Sequence, residues 1–547
     1  MKSHREQVEA LIKLLRLHDG CRPALGPGGG SILGSVILSV LVACCAAGSP
    51  GAGSDAGINP GAPSARIYRL PDGEEAAPFH ITANGLTLPV SRCYVSAYPY
   101  NRRWPGHQRT TDQREIAYFA RLEADGPVSF RYEPGRAFSD CRIRPTSAGV
   151  RPETHGGTIA FTLPRPGGYT LELDGTHNAL HLFLDPPPDY VVSPDQKGVR
   201  YFGPGVHRVG VLQLKDNETV YLHEGAVVYG CIHGSRVTGV RILGRGILDN
   251  SENVEEILFE VPKLGDGSVD VKNSRRKHTI HLIDSTGIEV EGITIRDSLC
   301  YNIACHGCDN VSIKNCRIIG CWRYNTDGID FHNCRNARVD GCFLRTYDDS
   351  LCVKGHTGYR NDVCEDILFE NCVIWNDWGK ALEIGAETRA EHLRRIVFRN
   401  CDVIHLTGPA IDIMNVDYGS VHDVVFENIR IEYDPVMQRP AIQKSDAAPF
   451  VVDPKSTHMP SAITFSVTKH HEYSGGLERR GNIHDIDLRN IRILATRMPP
   501  SSFAGYDEGH AVSDIRVDGL FLNGRRARTL EEACFRVGQH ARNITIR

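Results

Sequence analysis

The sequence has few aromatic residues, almost no net charge and no apolar run long enough to span a membrane comfortably. Each of these shortages excludes some classes of protein. Only 7% of the residues are aromatic, whereas 54 are glycine. Such a chain makes many tight turns and builds its core from small and β-branched side chains, so we expect a β-rich fold. Its 62 Lys and Arg residues nearly balance 66 Asp and Glu residues. This balance gives no general electrostatic reason to bind nucleic acid or an anionic membrane.

The apolar segment at residues 31–47 (SILGSVILSVLVACCAA) is too short to span a membrane comfortably. It follows a basic stretch and has the length of the apolar part of a secretory signal, so residues 1–47 are predicted to be a signal peptide or anchor. LVAC at 41–44 also resembles a bacterial lipobox, which would place a lipid on Cys44. We expect an exported protein, extracellular, periplasmic or lipid-anchored at the cell surface. An uncleaved membrane anchor and a mis-set start codon are the alternatives.

The chain of 547 residues is too long for one compact core of ordinary size, so two domains or one elongated repeat body are expected. Residues 48–65 are rich in Gly, Pro, Ser and Ala, which is typical of a flexible linker. Residues 66–190 contain short runs of alternating apolar and polar residues, such as VSFRYE at 128–133. This pattern predicts an antiparallel β-sandwich. Three prolines at 186–188 end it, because proline cannot donate to a sheet ladder.

The remaining part of the chain, residues 195–547, repeats itself. A motif of the form apolar-x-(Gly/Asn)-x-x-apolar recurs mostly at intervals in the twenties, which is typical of a right-handed parallel β-helix with two or three short strands per turn. Each turn buries its inward side chains by stacking on the next, and the Gly or Asn takes a left-handed bend between strands. The repeated Gly or Asn residues are Gly292, Asn315, Gly341, Asn371, Asn400, Asn428, Asn490 and Gly519.

The repeat explains several of the 18 cysteines. Cys316, Cys342, Cys372 and Cys401 each follow the repeated Gly or Asn, so we expect them to form a column on successive turns. A metal site needs convergent ligands, and CHGC at 305–308 has no second pair at a zinc-ribbon distance. The column is therefore predicted to be a buried apolar stack of free thiols, with disulfides as the next alternative.

Three aspartates are the candidate catalytic residues. Asp348 and Asp349 are adjacent, and a regular strand would turn one of them into the core, so we expect them at a bend that faces a cleft. Asp327 lies 21 residues earlier, which is close to one turn of the coil, and should stack beside them. Mutual repulsion raises one pKa in such a cluster and leaves a protonated acid beside ionised bases. Glycoside hydrolysis needs such a pair of a protonated acid and an ionised base.

Aromatic residues support a saccharide cleft, although single aspartates in loops are more often turn formers. Three of the four tryptophans, Trp322, Trp375 and Trp378, lie in the same window as the aspartates. Aromatic faces stack on sugar rings, but an aromatic side chain in a solenoid is often only packing. Taken together, the three tryptophans favour a carbohydrate-binding groove.

Two motifs make the resemblance specific. NTDGID at 325–330 and DDSLCVK at 348–354 resemble those of the polygalacturonase family of glycoside hydrolases, family 28, which has a pectin-lyase-like β-helix. A sandwich before the helix also resembles the dextranase and isopullulanase relatives in the same clan. The resemblance implies hydrolysis by single displacement with inversion. Asp348 would be the general acid, and Asp327 and Asp349 would hold and deprotonate the water.

Two departures put polygalacturonate in doubt as the substrate. The family's G-H-G motif corresponds to GKA at 379–381, and its R-I-K motif falls on DIM at 412–414. An anionic sugar would meet Asp412 where the family offers cations. A neutral sugar, or an acid sugar held by Lys354 and Lys380, fits better. The predicted substrate-binding residues are Asn325, Asp330, Lys354, His356, Trp378, Lys380 and Glu383.

The predicted partner is a polysaccharide or oligosaccharide, bound by a monomer that needs no cofactor and no metal. No His-rich ligand set indicates a catalytic metal. A polysaccharide lyase that binds calcium through the aspartates is one alternative. A non-catalytic glycan-binding solenoid is the other, and it would tolerate Asp348→Asn. Membrane contact is expected only through the N-terminal segment.

Overall fold

The computed structural model describes residues 65–74, 77–97, 113–252, 278–433, 441–442, 451–452, 459–471, 473–474 and 477–547. These residues all fall in one compact unit. The predicted signal or anchor and the predicted linker, apart from Ala65, lie outside the described residues. Within the described part of the chain, no helix is long and apolar enough to cross a membrane.

The first strands form two sheets that pack face to face. Their shared core consists of apolar side chains from both sheets, including Phe130, Phe161 and Leu182. A short 3-10 helix, Thr146–Ala148, follows the seventh strand. The strands are β1 (Arg66–Ile67), β2 (His80–Ala83), β3 (Leu86–Thr87), β4 (Val90–Ser96), β5 (Arg114–Glu123), β6 (Val128–Glu133), β7 (Cys141–Arg144), β8 (Glu153–His155), β9 (Thr158–Leu163), β10 (Gly167–Leu173) and β11 (Leu180–Asp185).

The predicted sandwich is present, with one departure from an antiparallel arrangement. One sheet has the order β3-β2-β6-β9-β8, and the other has the order β1-β5-β11-β10-β7 with β4 also paired to β5. Strands β5 and β11 pair in parallel, with Leu180 opposite Tyr118 and Asp185 opposite Glu123. Period-two alternation predicts a strand but not its partner, so this long-range pairing was not visible in the sequence.

The strands from residue 199 onward form the coil. They are β12 (Val199–Phe202), β13 (Gly205–Gln213), β14 (Thr219–Leu222), β15 (Ala226–Ser235), β16 (Arg241–Gly244), β17 (Ile247–Asp249), β18 (Ile280–Ile283), β19 (Thr286–Glu291), β20 (Thr294–Arg296), β21 (Ile303–His306), β22 (Asp309–Lys314), β23 (Arg317–Ile319), β24 (Ile329–His332), β25 (Arg335–Asp340), β26 (Phe343–Tyr347), β27 (Leu351–Gly355), β28 (Val363–Glu370), β29 (Val373–Trp378), β30 (Leu382–Thr388), β31 (His392–Arg399), β32 (Asp402–His405), β33 (Ile411–Asn415), β34 (Ser420–Glu427), β35 (Arg430–Glu432), β38 (Ile463–Val467), β39 (Asn482–Leu494), β40 (Ser501–Ala504), β41 (Val512–Leu522), β42 (Arg525–Ala527), β43 (Phe535–Val537) and β44 (Ala541–Ile546). A two-stranded hairpin, β36 (Ala441–Ile442) and β37 (Val451–Val452), stands apart from them.

Apart from β42, which pairs antiparallel with β41, the strands of the coil pair in parallel with strands of the next turn, which confirms the predicted right-handed parallel β-helix. Most turns contribute three strands, and the three resulting sheets enclose a core of Ile, Val, Leu, Phe and Cys side chains. The sheet that contains β24, β27, β30 and β33 carries the acidic residues on its outer face. Neighbouring strands in a sheet lie about 4.8 Å apart, so residues distant in sequence become neighbours here.

The repeated Gly and Asn residues take the conformation that was predicted for them. All eight have positive φ, from 49° at Asn315 to 84° at Gly519. Their amides also bond along the coil, because Asn428 donates to the Oδ1 of Asn400 at 3.2 Å and Asn490 donates to the Oδ1 of Asn428 at 2.7 Å. The left-handed bend is therefore reinforced by an asparagine ladder.

The cysteine column is also confirmed. Cys316, Cys342, Cys372 and Cys401 are buried free thiols on successive turns. All four donate to the carbonyl two residues earlier, as Cys372 does to Glu370 at 3.2 Å. They fill the core as small apolar groups.

The sandwich packs against one sheet of the helix through an apolar layer. Phe119 and Phe183 of the sandwich meet Phe343 and Trp375 of the helix in one cluster. A Cβ atom on Gly168 would lie 2.6 Å from the Phe343 ring, so only glycine fits this approach. The sandwich thus covers the sheet next to the acidic one.

Candidate active site

A bend between β26 and β27 carries Asp348 and Asp349, as predicted. The Thr346 hydroxyl donates to the Asp348 carbonyl at 2.8 Å and lies 2.7 Å from the Ser350 hydroxyl. The Asn376 amide donates to the same carbonyl at 2.7 Å. These buried bonds hold the bend in one conformation and turn both aspartate side chains to the same side.

Asp327 comes from the neighbouring turn, just before β24. The next residue, Gly328, donates its N–H to the Asp349 carbonyl at 2.8 Å, and a Cβ atom there would lie 2.3 Å from the Ser350 oxygen. Oxygen atoms of Asp327, Asp348 and Asp349 all lie within 4.8 Å of one another. The coil therefore brings together the three carboxylates that the sequence analysis grouped.

One buried ammonium group binds most of this cluster. Lys354 Nζ lies 2.9 Å from Asp327, 3.2 Å from Asp330 and 3.2 Å from Asp349. Its side chain is 4% exposed, so the ion pairs are poorly screened. Asp348 is the one member of the triad that Lys354 does not contact among the described ion pairs.

The pKa values of the adjacent aspartates move in opposite directions. Burial raises the pKa of Asp348 well above its usual value, and repulsion from Asp327 and Asp349 adds to the rise. Burial would also raise the pKa of Asp349, but Lys380 and Lys354 hold it below its ordinary value. Burial raises the pKa of Asp327 to about 6, against the opposing effect of Lys354. The environment therefore favours a proton on Asp348 and a charge on Asp349.

Lys380, which takes the place of the family histidine, is also paired. Its Nζ lies 2.8 Å from Glu383 and 3.4 Å from Asp349. Glu383 pairs in register with Asp412 on the next strand, and burial raises the pKa of Asp412 to about 7. Both lysines of the site are thus neutralised by carboxylates of the protein itself.

These groups line a cavity of about 290 Å³ on the outer face of the sheet. A larger cavity of about 580 Å³ lies elsewhere, between the sandwich and the turns that carry Asn371 and Asn400, and contains none of the acidic triad. The lining of the acidic cavity consists of Tyr301, Asn325, Asp327, Asp348, Asp349, Lys354, Trp378, Gly379, Lys380, Ala386, Glu387, Gly408 and Tyr473.

The predicted substrate-binding residues divide into two groups. Asn325, Lys354, Trp378 and Lys380 line the cavity. The other three are buried and do not line it: Asp330 lies under Lys354, Glu383 lies under Lys380, and His356 stacks on the ring of His332 at 5.0 Å. These three residues can affect substrate binding only indirectly, by positioning the lysines or the neighbouring rings.

Of the three tryptophans near the aspartates in sequence, one contributes to the cavity. Trp378 lines the cavity and packs against Tyr347. Trp375 is 1% exposed and packs on His405 at the sandwich interface, and Trp322 is also 1% exposed. Two tryptophans therefore serve packing, because proximity in sequence does not decide which face of a strand a residue occupies.

Sequence reasoning missed several residues of the site. Tyr301, Glu387 and Tyr473 line the cavity but belong to no motif. Gly379 was noted only for its motif, yet a Cβ atom there would lie 2.6 Å from the Asp348 carbonyl carbon. A glycine at this position was the available signal, since it marks a close backbone approach.

Two sets of side chains have the spacing of a metal site. One is the aspartate triad, and the other is Asp349, Cys352 and Glu383. In both sets Asp349 is already paired with the two lysines. The ammonium groups supply the positive charge that a cation would bring, and the absence of a metal stays a prediction.

Comparison with known proteins agrees with the motif resemblance. Residues 210–438 match the model of glycosyl hydrolases family 28. A probable polygalacturonase of Vitis vinifera is 29% identical over 125 residues, 22% of this chain and 24% of the relative. A polygalacturonase of Juniperus ashei is 26% identical over 137 residues, 25% of this chain and 26% of the relative. The chain thus matches about a quarter of the length of these relatives.

A solved structure shares the fold over most of the chain. Dex49A from Penicillium minioluteum superimposes with a TM-score of 0.58 at 15% identity, covering 86% of this chain and 94% of that one. At such low identity the likeness concerns the fold alone. The match to a glycoside hydrolase family agrees with the class that the motifs predicted for this part of the chain. Residues 210–438 are therefore similar to glycosyl hydrolases family 28, as the two motifs indicated.

Proposed function

We propose that this protein hydrolyses a glycosidic bond in a polysaccharide or oligosaccharide, with Asp348 as the general acid. The observation that carries the proposal is the grouping of three carboxylates within 4.8 Å of one another, of which Lys354 binds Asp327 and Asp349 but, among the described ion pairs, not Asp348. The pKa values of the adjacent pair agree with it, since that of Asp348 is raised and that of Asp349 is lowered. Glycoside hydrolysis needs such a pair, because a protonated carboxyl must protonate the leaving oxygen while an ionised carboxylate takes a proton from water.

In the proposed reaction, Asp348 gives its proton to the glycosidic oxygen as the bond from the anomeric carbon to that oxygen breaks. A water molecule held by Asp327 and Asp349 attacks the anomeric carbon from the opposite face and loses a proton to Asp349. The hydroxyl replaces the leaving group in one displacement, so the anomeric configuration inverts. Lys354 keeps Asp327 and Asp349 ionised.

The carboxylates lie closer together than is usual for an enzyme that inverts the anomeric configuration, so the predicted inversion needs a direct test. Inverting enzymes with two carboxylates usually separate them by about 6.5–9.5 Å, whereas retaining enzymes separate them by about 5–5.5 Å. The three aspartates lie closer than the first range. A cluster of three can hold the water with two members and donate from the third, so inversion does not require a wide gap. Support for inversion therefore comes from the motif rather than the distance.

We propose that the substrate is a neutral sugar rather than plain polygalacturonate. Lys354 is paired with three carboxylates and Lys380 with two, so neither offers an unpaired cation to a uronate. Asp412 occupies the position where the family offers a cation. A uronate carboxylate would be repelled here, whereas hydroxyl groups could donate to these acids. The ion pairs disfavour the alternative in which the two lysines hold an acid sugar.

A reducing-end assay over neutral polysaccharides and polygalacturonate tests this function. Wild type, Asp348→Asn and Asp327→Asn are compared with Asp125→Asn, a control in an exposed turn of the sandwich. We expect the first two variants to lose about 10²- to 10⁴-fold in rate and the control to match wild type. NMR of the first product should show the inverted anomer. Equal rates in all variants would reject the site, and a retained anomer would reject single displacement.

We further propose that the protein is exported, on the strength of the apolar segment at residues 31–47. Fractionation of the producing cells, with N-terminal sequencing of the mature protein, tests this. Export predicts a chain that is cleaved near Cys44 or retained in the membrane fraction. Full-length protein in the soluble cytoplasmic fraction would contradict it.

A further inference from the structure

A wide bulge in β30 changes the wall of the cavity next to the aspartates. Val353 pairs with Ile384 and Gly355 pairs with Thr388, so one residue of β27 faces three residues of β30. Gly385 begins the bulge with a φ of 116°, and a Cβ atom there would lie 2.1 Å from the Met414 oxygen. Bulges re-aim side chains, and this one directs Glu387 into the cavity.

Glu387 is the acidic residue of the cavity wall that remains available to a ligand. Among the described residues, no side chain donates a hydrogen bond to it and no ion pair within 4.0 Å holds it, unlike Asp327 and Asp349. Burial would raise the pKa of its carboxyl, but Lys354 and His356 hold the pKa below its ordinary value. Glu387 is therefore an ionised acceptor that faces the cavity.

A tyrosine is fixed on the same wall. Arg389, two residues after Glu387, is 1% exposed and donates to the carbonyl oxygens of Tyr473 at 3.1 Å and Ser474 at 3.0 Å. The Ser474 hydroxyl donates to the Val416 carbonyl at 2.7 Å. These buried bonds tie the loop to the coil, and Tyr473 lines the cavity with Glu387. The bulge and the loop thus form one preorganised wall.

We propose that Glu387 and Tyr473 form a subsite for an uncharged sugar ring, in which Glu387 accepts hydrogen bonds from sugar hydroxyls and repels a uronate. The proposal rests on the hydrolase function above and names the determinant of its substrate class. A sugar hydroxyl donates to a carboxylate, whereas a uronate carboxylate would add a further negative charge beside Glu387, Asp327 and Asp349. The ring of Tyr473 offers a face to the sugar, and its phenol hydroxyl can exchange a hydrogen bond with a sugar hydroxyl.

The test compares Glu387→Gln, Glu387→Lys and Tyr473→Phe with Glu391→Gln. Glu391 is exposed on the same turn of the coil and does not line the cavity, so it is a matched control. The probes are the best neutral polysaccharide from the panel above and polygalacturonate. Each variant is assayed for kcat and KM on both probes, with circular dichroism and thermal melting to verify folding.

We expect Glu387→Gln to raise KM for the neutral probe about 10- to 100-fold, the range of a lost hydrogen bond to a charged group, with kcat changed much less. Glu387→Lys should lower the discrimination against polygalacturonate, and Tyr473→Phe should raise KM by a smaller factor. Glu391→Gln should match wild type. If Glu387→Gln does not fold, the smaller rise in KM expected for Tyr473→Phe tests the subsite instead.

The outcomes separate this inference from the function on which it rests. If hydrolysis depends on Asp348 but Glu387→Gln and Tyr473→Phe behave as Glu391→Gln does, only the subsite is rejected. A wild-type preference for polygalacturonate over every neutral probe would also reject it. If Asp348→Asn is as active as wild type, or no probe is hydrolysed, the hydrolase function fails and the subsite fails with it.

Discussion

At the scale of single residues, Lys354 organises the site. Its ammonium group contacts three carboxylates, and both the ammonium and the carboxylates are buried away from water. Burying such ions costs desolvation energy. In return, the network fixes the positions of the side chains and sets the differences between their pKa values. Together with Lys380, Lys354 holds the pKa of Asp349 below its ordinary value, and the charge on Asp349 in turn raises the pKa of Asp348.

Lys354→Met should therefore damage both stability and activity. It leaves uncompensated carboxylates in a buried site, so we expect the free energy of unfolding to fall by about 3–5 kcal/mol. The rate should fall by at least about 100-fold, because Asp349 would then take up protons at a higher pH. Urea unfolding and the hydrolysis assay measure the two effects, with Lys215→Met on the exposed surface as control. A variant as stable and active as that control would contradict this role.

The sequence indicated the acidic triad but not the whole wall of the cavity. Asp327, Asp348 and Asp349 were predictable because the period of the coil fixes which residues stack. Glu387 was not, because a bulge breaks the register at that point and leaves no pattern. Tyr473 lies in a loop between strands, where no periodicity applies.

At the scale of strands and turns, the asparagine ladder sets the corner of each turn. The left-handed conformation costs an ordinary L-residue about 1–2 kcal/mol, which Asn reduces through local hydrogen bonds and Gly avoids. This requirement is local to each turn, so the sequence pattern predicted all eight positions. The partner of β5 was not predicted because it depends on a strand about sixty residues away.

Asn400 offers a direct test of the ladder. Its φ is 56°, and its Oδ1 accepts from Asn428. Asn400→Ala loses that bond and strains the backbone, whereas Asn400→Gly loses only the bond. We expect the alanine variant to be the less stable of the two by about 1 kcal/mol in urea unfolding. Equal stabilities would show that the bend at this position imposes no conformational cost.

At the scale of the whole molecule, the repeat gives the coil its length, and long-range packing covers its faces. The sandwich covers one sheet, and a row of histidine rings lies on the sheet of the active site. His306 stacks on His332 at 4.1 Å, and His332 stacks on His356. Burial lowers the pKa of His332 well below its usual value, with His356 and Lys354 adding to the effect. Such a ring stays neutral in the folded protein but takes up a proton on unfolding in acid.

His332→Gln should therefore change how stability depends on pH. Above pH 6.5, the usual histidine pKa, His332 is neutral in both states and contributes no pH dependence. Below that pH the unfolded wild type binds an extra proton, so wild type loses stability relative to the variant by up to about 1.4 kcal/mol per pH unit. Urea unfolding of both proteins near pH 7.5 and near pH 5 measures this difference. A constant difference between the two proteins would contradict a buried neutral ring.

The protonation state of Asp348 in the protein without substrate tests the proposed role of this residue most directly. Carbon-13 NMR of aspartate-labelled wild type and Asp348→Asn, recorded near pH 6, isolates its carboxyl resonance as the one absent from the variant. We predict that this resonance has the chemical shift of a protonated carboxyl, while another carboxyl of the triad remains ionised. An Asp348 resonance at the ionised position would contradict the assignment of the general acid and the mechanism built on it.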